Sequence, residues 1–302
     1  MSITLRKIVE KTLPSFLSKK IIVFGESYKK KRREEKRLSI NNGKPFIKAI
    51  NVFDVSFNIL LDPVRNSGVD ESIAREGFWE KELSHQFLKY IHKDSVFLDI
   101  GANIGYHSLF VASLLKGSGQ VYSFEPIPRL CKQLNESVES NKFTNIKVNN
   151  FGLAEKDGEH IIHFRDENMG GSSLLSLPNI KEYKVSGTEL IKLKKLDSLF
   201  EENFKVDVIK IDVEGYEYEA LSGASHILEN NHPVIFMEFS PVFYNQESKE
   251  KTNNLISFLK DLGYSFFTMN DASIDLNNWV KEGNNANSQI DIICKVVNSN
   301  MI

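Results

Sequence analysis

The pattern of hydrophobic and polar positions changes period near residue 80, and the chain divides there. Before it, Ile3, Leu5, Ile8, Val9, Leu13, Phe16 and Leu17 recur every three to four positions, which predicts helix over much of 1–40, broken at Pro14. Residues 41–70 follow the turn signal Asn42-Gly43 with short apolar–polar alternation, the mark of a strand-rich connector. Beyond residue 80, short apolar runs alternate with amphipathic stretches. Strands are predicted at 96–100, 120–125, 146–150, 206–212, 234–239, 264–268 and 289–296, and helices at 104–115, 127–140, 216–229 and 249–262. Strand–helix alternation of this kind implies an α/β fold with a doubly wound, mainly parallel sheet. The alternation lapses between 158 and 196, where a hairpin or insertion is expected. The reading places an N-terminal extension over 1–70 and one α/β domain over 71–302.

Composition narrows the class. A hydrophobic share of 41% and a charged share of 26% over 302 residues are ordinary for a globular protein. Apolar runs stop at four residues, as at 21–24, far short of the ~20 of a spanning helix, and no apolar block of signal-peptide type follows the basic N-terminus. Cys131 and Cys294 are the only cysteines, so a disulfide framework is not expected, and a reducing, cytoplasmic setting is. The net charge of −2 hides an uneven split: residues 1–37 hold twelve Lys or Arg against four Glu, and the rest of the chain is acidic. An acidic body argues against general nucleic-acid binding. The basic arm over 1–37 suits either a solvated helix or peripheral contact with an anionic membrane.

The first strand of the alternating region ends in Asp99-Ile-Gly-Ala-Asn-Ile-Gly105. Gly101 and Gly105 allow close backbone approach to a ligand where the next helix opens, at the carboxyl end of a strand, the usual ligand position in such sheets. The G-x-G-x-x-G dinucleotide fingerprint is absent. An acid just before the glycines suits a cationic ligand, such as the sulfonium and ammonium of S-adenosylmethionine, better than a pyrophosphate. Glu125 ends the second strand, where a carboxylate can accept hydrogen bonds from ribose hydroxyls.

On these motifs the chain resembles the FkbM-type S-adenosylmethionine-dependent methyltransferases. The matching segments are 97–109, 121–129, 150–160, 170–174, 196–197, 209–225 and 233–240. The most specific is Lys210-Ile-Asp-Val-Glu-Gly215 with Glu217 and Leu221-x-Gly223. The resemblance implies a class I, Rossmann-like methyltransferase fold with an antiparallel late strand, S-adenosyl-L-methionine as cofactor, and O-methylation of a hydroxyl group on a sugar, glycan or secondary metabolite. Carried over, Asp99, Gly101, Asn103 and Gly105 would hold the methionine part, Glu125 the ribose, and Gly152 and Leu153 the adenine. Gly152 departs from the family's alanine. No match covers the first 70 residues.

A hydroxyl is a poor nucleophile until its proton is accepted. Asp212 at the end of the fourth strand and Glu238 near the end of the fifth would face one crevice, with Glu214 just beyond, and one of the three is expected to accept or orient that proton. Glu214 and Glu217 also suit a first helical turn. His107, His163 and a Gly170–Ser173 lip are further candidates. Asp212 with Glu238 could hold a divalent cation, but lacks a clear third ligand, so no metal is assigned. Adenine-N6 methylation would need an Asp/Asn-Pro-Pro-aromatic motif where Asp212-Val-Glu-Gly215 stands, and cytosine-C5 chemistry a Pro-Cys pair. The rival reading is a non-catalytic cofactor-binding partner of glycan-synthesis enzymes; a nicotinamide oxidoreductase is a third.

Overall fold

The computed structural model describes residues 28, 31–32, 34–64, 68–165, 168–173, 187–239, 246–282 and 289–297. Most of the basic arm over 1–37 therefore lies outside the described residues. A seven-stranded sheet organises the molecule. Its strands are β3 (Val96–Ile100), β4 (Gln120–Phe124), β5 (Ile146–Asn149), β10 (Val208–Ile211), β11 (Val234–Phe239), β12 (Tyr264–Thr268) and β13 (Ile290–Val296), in the order β12-β13-β11-β10-β3-β4-β5. Pairing is parallel from β5 to β11, and β13 runs antiparallel to both β11 and β12. This is the expected α/β sheet with its antiparallel late strand. The buried runs of β3 and β10 are apolar save for Asp99 and Lys210, as strands covered on both faces require.

Helices cover the two faces. On one side lie α1 (Val69–Glu76), α2 (Lys81–Tyr90), α3 (Tyr106–Leu115) and α4 (Pro128–Asn141). Phe87 of α2 meets Phe97, Phe110, Phe236 and His107 in edge-on or tilted ring contacts, which fixes α2 over the sheet. On the other side lie α5 (Glu217–Ser222), α6 (Ser225–Asn231), α7 (Gln246–Asp261) and α8 (Leu276–Glu282). The single helix expected over 216–229 is thus two. The chain breaks at Gly223, where a Cβ would stand 2.0 Å from the Ala154 carbonyl oxygen. Asp197 then caps α6, accepting from the backbone N–H groups of His226 and Ile227 and from Ser225. Among the described residues no helix is long and apolar enough to cross a membrane.

Among the described residues two smaller sheets accompany the seven-stranded one. The connector over 41–70 forms a hairpin of β1 (Phe46–Val52) and β2 (Val55–Leu61), whose apolar face joins the same core as Phe97 and Phe110. Side chains of α4 satisfy the free edge of β2: Asn141 bonds both backbone groups of Asn58, Ser137 accepts from Leu60, and Gln133 donates to it. The lapse over 158–196 is a four-stranded sheet of β6 (Gly152–Leu153), β7 (Gly158–Arg165), β8 (Asn168–Ser173) and β9 (Gly187–Lys194) in the order β6-β9-β7-β8. The Gly170–Ser173 segment, considered as a loop or lip, is part of edge strand β8.

Candidate active site

At the carboxyl ends of β3, β4 and β10 lies a crevice lined by Gly101, Asn103, Glu125, Gly152, Leu153, Asp212 and Glu214 among others. Seven of the ten residues singled out from the sequence therefore meet in one place. Phe124, Pro126, Ile127, Leu130, Tyr216 and Ile162 add apolar and aromatic walls, and among the described residues no lysine or arginine lines it. Ile162 comes from β7, so the small sheet closes one side. That contribution was invisible to a reading that treated 158–196 as an insertion.

The remaining three sit elsewhere. Asp99 does not face the crevice: it is 1% exposed and accepts from Ser108 Oγ at 2.5 Å, with Lys210 Nζ 3.8 Å away on its other oxygen. Gly105 begins α3 in the left-handed region, and a Cβ there would strike the Leu134 side chain, so it serves packing between α3 and α4. Glu238 lines a second, adjoining cavity with Glu80, Lys210, Asp212, Met269 and Asp291. Asp212 borders both cavities.

Local geometry explains the loops. Gly101 adopts φ +78°, and a Cβ would lie 2.0 Å from the Asp212 carbonyl oxygen, so only glycine lets the first loop rest against the fourth strand's end. Glu125 ties two loops together, Oε2 accepting from Asn103 N–H and Oε1 from Ile127 N–H, each at 2.9 Å. Burial pushes its carboxyl up to about 7 despite those bonds. Glu217, read as a possible first-turn acid, shapes the loop after β10 by accepting from Gly215 and Val213 N–H. Gly152 packs against Leu193, whose side chain would lie 2.9 Å from a Cβ, so the small residue accommodates β9.

The second cavity concentrates charge. The parallel register pairs Ile211 with Met237, which brings Asp212 level with Glu238 as expected. Glu80, Asp212 and Glu238 each offer a carboxylate oxygen within 4.8 Å of the others. Lys210 is buried among them, 3.6 Å from Asp212, and donates to the Gly101 carbonyl at 3.3 Å. Burial opposes its charge, but Asp212, Asp99, Glu80 and Glu238 outweigh that and hold the ammonium protonated. Burial raises Asp212, Glu214 and Glu238 above the usual carboxylate range, and their mutual repulsion adds to it for Glu214 and Glu238. Glu80 differs: burial works to raise it, but the His107 hydrogen bond and the His107 and Lys210 charges bring it below the usual value. Sequence reasoning missed Glu80 and Asp291, which lie outside the matched motifs. Of the two histidine candidates, His107 touches Glu80, and His163 of β7 pairs with Thr188 of β9 and lines neither cavity.

Comparison with known proteins places this arrangement. The profile of the methyltransferase FkbM domain matches residues 99–266. Hexuronic acid methyltransferase AglP of Haloferax volcanii is 28% identical over 157 residues, covering 52% of this chain and 61% of that protein. Methyltransferase 1 of Beauveria bassiana is 25% identical over 146 residues, covering 43% of this chain and 58% of its own length. The match thus spans less than two-thirds of either relative. Among solved structures, methyltransferase FkbM of Methylobacillus flagellatus KT superposes over 72% of this chain and 46% of its own, with a TM-score of 0.44 and 16% identity. Precorrin-6y C5,15-methyltransferase of Geobacter metallireducens covers 72% and 88%, with a TM-score of 0.39 and 14% identity. With more than half of its length matched by the domain profile, including every strand from β4 to β11, the chain belongs to the FkbM methyltransferase family.

Proposed function

We propose that this protein transfers a methyl group from S-adenosyl-L-methionine to a hydroxyl oxygen of a sugar, glycan or secondary metabolite. The observation that carries the reading is the joining of two unlike cavities at Asp212. One is a largely apolar slot that holds the buried Glu125 and, among the described residues, no basic side chain. The other is a pocket in which Glu80, Asp212, Glu238, Asp291 and Lys210 gather among apolar residues. The slot fits the cofactor's chemistry: Leu153, Ile162 and Ile127 offer flat apolar contact for a purine, Glu125 keeps lone pairs for ribose hydroxyls, and Asp212 and Glu214 add carboxyl oxygens that can accept from an ammonium.

When bound, the cofactor supplies an electrophilic methyl group. The chain's own residues do the rest. Gly101 and Asn103 present backbone to the methionine part, with Asp99 bracing that loop from behind and Gly105 setting the start of α3. Glu125 fixes the ribose, and Gly152 with Leu153 bounds the adenine. Asp212, Glu238 and Glu214 orient the acceptor hydroxyl, and holding it in line with the methyl group supplies much of the acceleration. The name of the Haloferax relative supports a sugar-derived acceptor.

The test is an acceptor screen with S-adenosylmethionine carrying a labelled methyl group, run over glycosides, lipid-linked sugars and small phenols. Label recovered as a methyl ether supports the reading. Tight cofactor binding without transfer to any hydroxyl would favour the non-catalytic alternative.

A further inference from the structure

Resting on the hydroxyl-methylation reading, we propose that Glu80 is a further catalytic residue, the base that takes the acceptor's proton, and that His107 is the positioning residue that holds it. Glu80 precedes α2 and lies before residue 99, where the family match begins. Its backbone occupies the left-handed region at φ 40°, which turns the chain so that the side chain lines the pocket beside Asp212 and Glu238. His107 Nε2 stands 2.8 Å from Glu80 Oε2. A carboxylate only accepts, so the ring proton sits on Nε2. The ring is 5% exposed and wedged edge-on against Phe87 and Tyr106, and Nδ1 is buried with no hydrogen-bond partner among the described residues. His107 therefore cannot reach an acceptor itself; it acts through Glu80.

The groups facing Glu80 divide the labour. From α3 comes His107, from β10 Lys210, from the following loop Asp212, from β11 Glu238 and from β13 Asp291. Burial and crowding favour protons on Asp212, Glu238 and Asp291, while His107 and Lys210 keep Glu80 ionised. Divergent environments for neighbouring acids separate base from donor. In the step itself the acceptor oxygen forms its bond to the methyl carbon, and the carbon–sulfur bond breaks with its electron pair going to sulfur. The hydroxyl proton passes to a Glu80 carboxylate oxygen and then to solvent.

The experiment uses the full chain and, as acceptor probes, a methyl hexuronoside and a methyl hexoside. In Glu80→Gln we expect kcat to fall by roughly 10²–10⁴-fold, with affinity for S-adenosylhomocysteine, read by calorimetry, within about twofold of wild type. In His107→Phe, which keeps the aromatic packing, the acid limb of the kcat profile should move to higher pH, because Glu80 loses the donor that keeps it ionised. A purely structural His107 would lower activity without moving the limb. Glu80→Asp, which retains the charge, should recover part of the rate and covers the case in which the glutamine variant fails to fold. Wild-type kcat in Glu80→Gln, or an unmoved limb in His107→Phe, overturns this proposal alone. If wild type methylates neither probe nor any other hydroxyl, the parent reading falls and takes this one with it.

Discussion

Glu238 on β11 and Asp291 on β13 stand directly opposite each other in an antiparallel pair, both facing the acidic pocket. Like charges across a ladder destabilise by about 0.2–1 kcal/mol. Burial, then Glu80 and Asp212, push Asp291 up to about 6, and Glu238 is raised likewise, with Asp291 contributing. The folded state therefore binds more protons than the unfolded one above the ordinary carboxyl range. Stability from these groups is full below that range and is lost as pH rises through the raised values. We expect the cofactor-free melting temperature to fall between about pH 5 and pH 8. Asp291→Asn should shrink that fall and raise Tm at the upper end by roughly 1–4 °C. A scanning-calorimetry series in which the variant tracks wild type at every pH would contradict the pairing.

Glu125 ties the loops at Asn103 and Ile127, and in the proposed reading it also contacts the ribose, so it should act on cofactor affinity twice over. A hydrogen bond to a charged group is worth about 1.5–3 kcal/mol, so Glu125→Ala should weaken S-adenosylhomocysteine binding by at least about tenfold. Because burial lifts the carboxyl to about 7, affinity in wild type should decline as pH drops below that value, and Glu125→Gln should abolish the decline. Calorimetry across pH checks both statements.

Gly101 lets the loop after β3 rest against the strand end that carries Asp212. A Cβ would meet the Asp212 carbonyl at 2.0 Å in a backbone conformation unfavourable to other residues. Backbone strain of this sort costs about 1–3 kcal/mol, so Gly101→Ala should lower Tm by at least about 2–4 °C and weaken cofactor binding as well. Thermal melts with and without S-adenosylhomocysteine separate the two effects.

Much of the sheet was legible because its strands are short apolar runs bounded by turn residues, and the period alone marks them. The crevice was legible where loop motifs carry it: Gly101, Asn103, Glu125, Gly152, Leu153 and Asp212 converge as strand ends must. Other features depend on packing that no local pattern encodes. The break between α5 and α6 comes from the approach of Gly223 to the Ala154 backbone. Asp99 looks like a ligand residue in sequence but is claimed by Ser108 and Lys210. Glu80 and Asp291 reach the pocket from distant segments, one through a left-handed turn and one through an antiparallel register. Ile162 lines the crevice only because the small sheet folds back over it.

The most direct measurement of the central claim is transfer of a carbon-13 methyl group from S-adenosylmethionine to a glycoside acceptor, followed by nuclear magnetic resonance of the product. The account predicts a new methyl-ether carbon on a sugar oxygen, formed by the full chain and strongly reduced in Asp212→Asn and Glu238→Gln. Label appearing on nitrogen or carbon, or no transfer while S-adenosylhomocysteine binds tightly, would contradict it.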